Sequence, residues 1–233
     1  MAKNRDPKVL IAEAQKIAQK RDLEWDTSLE TILEYCAEDP QNRFSDEKAK
    51  EGDLSNLVPN YLSRLKGRYE IVEPRTINLT DPAVAVVLES LFRYPVDSRD
   101  EYRLAHRAAM KAENVVGELL ERYIYSHLKK QGWVWCCGSV VKATDFLKRE
   151  GTEWRPLQVK NKFNAENSSS RAIRDGTKIG KWHRLKRDGS SNWAGLPDNK
   201  GDALTEDGFL RYIRSFGSGG EAISVAESYC FAK

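Results

Sequence analysis

The sequence predicts an α+β protein whose first half is α-rich. Three observations carry this reading. Apolar residues in the first hundred positions recur at helical spacing, a proline-free stretch from Ser98 to Lys130 reads as one long helix, and beyond Gly132 the period drops to two. A hydrophobic fraction of 40% over 233 residues is enough for a substantial core.

The first helix runs from Pro7 to Lys20, with Leu10, Ile11, Ala14 and Ile17 on its apolar side. A second follows through TSLETILEYCAE, capped by Asp26 or Thr27, and a third spans about Asp53 to Leu65. An extended piece, YEIVEPRTINL, separates these from a helix opened by Asp81-Pro82 and continued through AVAVVLESLF. The long helix from Ser98 ends before Gly132. Trp133 to Phe146 is rich in aromatic and β-branched residues, and Glu153 to Asn161 alternates, with Gly151-Thr152 as the turn; the pattern predicts a β-meander. Ser168 to Ser170 offer N-caps for a short helix bearing Arg171 and Arg174, and a second short helix is expected to carry Lys181, Trp182, Arg184 and Lys186. A helix over Thr205 to Ser215, a GSGG linker and a strand through Ile223, Val225, Tyr229 and Phe231 complete the chain. The domain reading is a helical region over 1–97 followed by a core over 98–233.

No run of 18 uncharged apolar residues is present and the first residues are charged, so the expectation is a cytoplasmic protein with no membrane partner. Cys36, Cys136, Cys137 and Cys230 show no CxxC spacing and read as structural or free thiols. The net charge of +3 hides an asymmetry. Residues 1–100 hold 15 basic and 19 acidic residues, whereas residues 142–187 hold 13 and 5. The basic excess is what a polyanionic partner would need.

The stretch TDFLKREGTEWRPLQVKNK, residues 144–162, lies where that excess begins. On a strand, side chains two apart share a face, so Gln158 and Lys160 point together and away from Leu157 and Val159. The hairpin turn can bring Asp145 beside Gln158. An acid, an amide oxygen and a lysine then converge, and with the carbonyl of Val159 they supply the oxygen donors a hard divalent ion such as Mg2+ prefers. Lys160 could position or deprotonate the attacking water and offset charge developing on phosphorus.

The spacing D-x12-Q-x-K on a hairpin behind a long helix resembles the PD-(D/E)XK nucleases, which implies a core of mixed β-sheet flanked by helices. Two departures stand out: Thr144 occupies the proline position, and Gln158 replaces the second acid, which favours one-metal chemistry. On the long helix Glu113, Val116, Leu120, Ile124 and His127 share a face. The resemblance makes Glu113 an auxiliary active-site acid, with Glu118 and Glu121 left as solvated partners for Arg122 and Lys129.

The segment from about 161 to 200 is rich in basic, amide and hydroxyl groups that suit base edges and phosphates. The candidates for DNA contact are Lys162, Asn164, Asn167 and Ser168, then Ser169, Ser170, Arg171 and Arg174, and finally Lys178 and Lys181. The wording QVKNKFNAENSSSRAIRDGTKIGKWHR, with GSSNW after it and HRAAMKAENVVGELLERYI before it, is similar to the SinI family of type II restriction endonucleases over roughly Tyr102 to Trp193. That resemblance implies a Mg2+-dependent enzyme making double-strand cuts at the palindrome GGWCC, where W is A or T, and leaving 5′-phosphate ends. A palindrome has a two-fold axis, so the expected reader of double-stranded DNA is a homodimer, with the N-terminal helices at the dimer surface or clasping the duplex. The alternatives are a structure-specific repair or recombination nuclease of the same fold and a non-catalytic DNA-binding protein.

Overall fold

The computed structural model describes residues 5–67, 99–162 and 177–217. The expected extended piece and helix over 69–92, the helix bearing Arg171 and Arg174, and the C-terminal strand lie outside the described residues. By compactness the chain forms two units, one comprising 1–70 with 121–233 and the other Ile71–Leu120.

Five helices open the larger unit: α1 (Pro7–Lys20), α2 (Ser28–Glu38), α3 (Pro40–Arg43), α4 (Glu47–Glu51) and α5 (Leu57–Lys66). α1 starts where Asp6 accepts the Lys8 amide at 2.9 Å and Pro7 fills the first turn, and it buries Leu10, Ala14 and Ala18 at a spacing of four. At α2 the choice between Asp26 and Thr27 resolves to Asp26, whose carboxylate takes the Ser28 amide at 2.8 Å, while Thr27 makes no side-chain cap. α5 begins at Leu57, later than expected, because residues 53–56 form a turn in which Asp53 accepts the Ser55 amide. The short α4 is a helix that apolar periodicity did not announce; Asp46 caps it and Gly52, at φ 103°, ends it.

α6 (Arg99–Leu128) is the expected long helix, closed by a 3-10 turn at Lys129–Gln131 and by Gly132 at φ 81°. Four strands follow: β1 (Trp133–Trp135), β2 (Phe146–Glu150), β3 (Glu153–Lys162) and β4 (Gly180–Leu185), in the order β1-β2-β3-β4. The sheet is mixed. β1, β2 and β3 pair antiparallel and β4 adds to β3 in parallel. α7 (Glu206–Gly217) comes last.

Two expectations are corrected here. Trp133 to Phe146 is not one strand: after Trp135 the chain turns through a 3-10 segment at Cys137–Ser139 and takes positive φ at Gly138, Ser139 and Ala143 before β2 begins. The segment with Lys181, Trp182, Arg184 and Lys186 is not a helix. Its side chains alternate in burial, with Trp182 and Arg184 inside, and it pairs along β3.

Pro156 is tolerated inside β3 because pairing with β4 starts only at Leu157. Leu157 presents its carbonyl to the β2 side, so the neighbouring Pro156 faces the still-unpaired edge, where a missing N–H costs no ladder bond. The β2–β3 turn, Gly151-Thr152, is two residues long, and Gly151 at φ 60° supplies the positive φ such a turn requires at its first position.

The sheet is covered on both faces. On one, Phe146, Leu157 and Val159 are buried, Tyr125 of α6 packs its ring 5.5 Å from Trp135, and Tyr123, Trp193 and Phe209 form an aromatic cluster with centroids 5.5–6.0 Å apart. Glu121 accepts the Trp135 indole N–H at 2.9 Å, so it ties α6 to β1 rather than serving as a solvated partner. On the other face α2 covers the hairpin tip: Tyr35 packs edge-on against Trp154 at 5.4 Å, Glu38 accepts the Trp154 indole N–H, and Arg149 pairs with Glu34 at 3.0 Å. Among the described residues no helix is long and apolar enough to cross a membrane.

Candidate functional site

Asp145 stands immediately before β2, at the end of the strand away from the turn, not at the close of a preceding strand. The register of β2 against β3 ends at Phe146↔Leu157, and Asp145 lies one residue beyond it, against Leu157 to Val159 of β3. Its backbone is held on both sides, the amide donating to Leu157 at 2.9 Å and the carbonyl accepting from Cys136 at 2.8 Å. One carboxylate oxygen, Oδ2, accepts the amide of Val159 at 2.7 Å. The side chain therefore replaces the ladder bond that β2 no longer supplies there, and its aim is fixed by the sheet itself.

Burial along β3 follows the expected alternation. Leu157 and Val159 are buried, Gln158 is half-buried and Lys160 exposed. Alternation and register together put Leu147 and Arg149 of β2 on the same face as Gln158, Pro156 and Trp154 of β3. Burial pushes the Asp145 carboxyl above its ordinary range, while the Val159 amide and the Lys160 ammonium pull it back. A carboxylate that loses hydration in this way is stabilised by any cation brought to it. The accompanying donors, an amide oxygen and main-chain carbonyls, are hard and carry no charge. This set fits one oxygen-loving divalent ion that keeps waters and shares a phosphate, and it does not fit a closed all-protein cage. Among the described residues no cluster of three His, Cys, Asp or Glu side chains could hold a metal.

β4 brings two further residues to this face, which the sequence reading had placed differently. Lys181 is the register partner of Gln158, and His183 that of Lys160, so the rows across β3 and β4 run Gln158, Lys181 and then Lys160, His183. Both are half-buried, whereas Trp182 and Arg184 point into the core. The alternation in GKWHRL signalled this, but its three basic residues resembled a basic helix.

Behind Lys160, on the opposite face, lies a second unforeseen arrangement. Arg184, buried, donates through Nε to Asn161 at 2.8 Å, pairs with Glu206 at the start of α7, and lies over the Phe209 ring. Trp193 donates its indole N–H to the other Glu206 oxygen at 2.9 Å. Asn161 directly follows Lys160, so this network fastens the end of β3 that carries the lysine.

Of the remaining expected site residues, Glu113 is exposed on α6 within the smaller unit. Lys162 is exposed at the end of β3, and exposed Lys178 lies 3.8 Å from Glu153. Asn164, Asn167, Ser168, Ser169, Ser170, Arg171 and Arg174 lie outside the described residues. Cys36, Cys136 and Cys137 are free and buried, and burial drives all three thiols up, Cys137 to about 12. This is the profile of inert core thiols.

Comparison with known proteins adds an independent line. The profile of the SinI restriction endonuclease family matches residues 15–219. The type II restriction enzyme Eco47I of Escherichia coli is 36% identical over 194 residues, spanning 81% of this chain and 82% of that protein. The type II restriction enzyme SinI of Salmonella infantis is 44% identical over 148 residues, spanning 61% of this chain and 63% of its own length.

Proposed function

The chain belongs to the SinI restriction endonuclease family and is a type II site-specific deoxyribonuclease, and from that premise we propose that Asp145, Gln158 and Lys160 form its cutting site, acting with one Mg2+. The observation that carries the assignment is the Asp145 carboxylate, pinned by the amide of Val159, the residue between Gln158 and Lys160, and under the influence of the Lys160 charge. Asp145 and the amide oxygen of Gln158 are the side-chain ligands. The carbonyl of Val159 is a third donor, because a strand residue directs its N–H and C=O to the same edge and the Val159 N–H already points at Asp145. When bound, the ion supplies positive charge at the scissile phosphate.

The chain's own groups do the rest. Lys160 holds the attacking water by hydrogen bond and offsets charge gathering on the phosphate oxygens. Gln158 orients that water or the ion without adding negative charge. Lys181, beside Gln158, places a further cation where a second carboxylate would otherwise attract a second metal, which supports a one-metal reading. Glu113 is retained as the auxiliary acid contributed by the long helix.

The target we propose is the palindrome GGWCC, cut on both strands by a homodimer to leave 5′-phosphate ends. Residues 161–200 read it, and the N-terminal helices serve as the dimer surface or clasp the duplex; the core over 98–233 is of the PD-(D/E)XK type. This reading displaces the repair-nuclease and non-catalytic alternatives, since both named relatives are type II restriction enzymes. Incubation with plasmid DNA and Mg2+, followed by sequencing of the ends, tests it. Discrete fragments bounded by GGWCC are expected, and fragments bounded by an unrelated sequence would reject the site.

A further inference from the structure

The face of β3 that carries Gln158 does not stop there. Pro156 and Trp154 continue it and line a cleft of about 840 Å3 together with Asn42 and Arg43 of α3, Lys142 and Ile179. Lys142 lies three residues before Asp145, and its backbone is fixed where its amide donates to the Arg43 carbonyl at 2.8 Å. The cleft is therefore a continuation of the cutting face toward the hairpin tip.

Charge within it is unequally satisfied. Glu38 is held by Arg43 at 2.7 Å and by the Trp154 indole; although burial opposes ionisation, these two partners keep its carboxyl below the ordinary range. Asp39 takes both Asn42 amide contacts, at 3.0 and 3.1 Å, and Glu153 faces Lys178. Among the described residues, Lys142 alone of the cleft's cations has no acid opposite it. A lysine in this position is a point charge waiting for a mobile anion, and on a DNA-cutting face that anion is a backbone phosphate.

Resting on the function proposed above, we infer that the cleft seats the DNA backbone flanking the cut, with Lys142 neutralising one phosphate there. The contact is independent of sequence, so it adds affinity without adding discrimination. It also gives α2 and α3 a concrete part in gripping the duplex.

The test is duplex binding without Mg2+ across a salt series, with one duplex carrying GGACC and one unrelated. Lys142→Ala should flatten the plot of log affinity against log salt by about 0.9, the loss of one phosphate contact, equally on both duplexes. Lys142→Arg should restore the slope, and Arg211→Ala, exposed on α7, should leave it unchanged. An unaltered slope in Lys142→Ala beside a steep wild-type slope would overturn the inference alone. If the wild type itself binds neither duplex, the DNA-cutting reading fails and this site fails with it.

Discussion

Replacing Arg184 by Met isolates what holds the lysine-bearing end of β3 in place. The substitution keeps an unbranched stem over the Phe209 ring and removes two interactions: the Nε bond to Asn161 at 2.8 Å and the ion pair with Glu206. The first leaves a part-buried amide oxygen unsatisfied, worth about 1 kcal/mol. A fully buried pair broken on one side would cost about 3–5 kcal/mol, but the Glu206 side chain is 29% exposed and retains the Trp193 indole, so about 1–2 kcal/mol is the appropriate share. The sum is about 2–3 kcal/mol, read as a lower urea midpoint at constant m-value. Pairing the change with Glu206→Gln closes a double-mutant cycle, whose coupling should be about 1 kcal/mol or more. The same variant should cut more slowly at temperatures where it remains folded, because Asn161 adjoins Lys160. A loss below about 0.5 kcal/mol, or strictly additive effects, would refute the reasoning.

Two other outcomes follow from the same geometry. Burial raises the Asp145 carboxyl, so the native state keeps that proton to higher pH than the unfolded chain, and stability falls as pH rises from the ordinary aspartate range, about 4, through the raised one. Asp145→Asn retains an acceptor for the Val159 amide and should melt higher than the wild type at neutral pH, with the gap closing toward pH 4; calorimetry showing a gap independent of pH would contradict the burial argument. Gln158→Glu adds charge at the proposed metal position and should lower the Mg2+ concentration giving half-maximal cleavage. A higher requirement in a Mg2+ titration would remove Gln158 from the metal.

Much of this protein was legible from periodicity and spacing. α1, α2 and the long α6 follow from apolar positions three and four apart, with Pro7 and Gly132 marking the start of α1 and the end of α6, and the alternation of Leu157, Gln158, Val159 and Lys160 fixed which face each side chain takes. The turn at Gly151-Thr152 was also accessible, and a two-residue turn leaves few registers for β2 against β3. What remained hidden depends on contacts distant in sequence. The short helix α4 is held by its caps, and β4 owes its strand form to pairing with β3, which a local reading of Lys181, Arg184 and Lys186 cannot sense. The Arg184, Glu206 and Trp193 network joins three separate elements, and nothing in any one of them announces it. Glu121 shows the same limit: a helical glutamate looks solvated until Trp135 is folded against it.

The central claim is that a lysine on β3 performs the cutting at a site whose carboxylate is Asp145. Lys160→Ala tests it most directly, because the side chain is exposed and its removal leaves the fold alone. Supercoiled plasmid and Mg2+ are supplied to wild type and variant at equal occupancy, set by a parallel binding measurement. Cleavage by the variant is expected to slow by about two to three orders of magnitude with duplex affinity nearly unchanged. Wild-type cutting by the variant would contradict it.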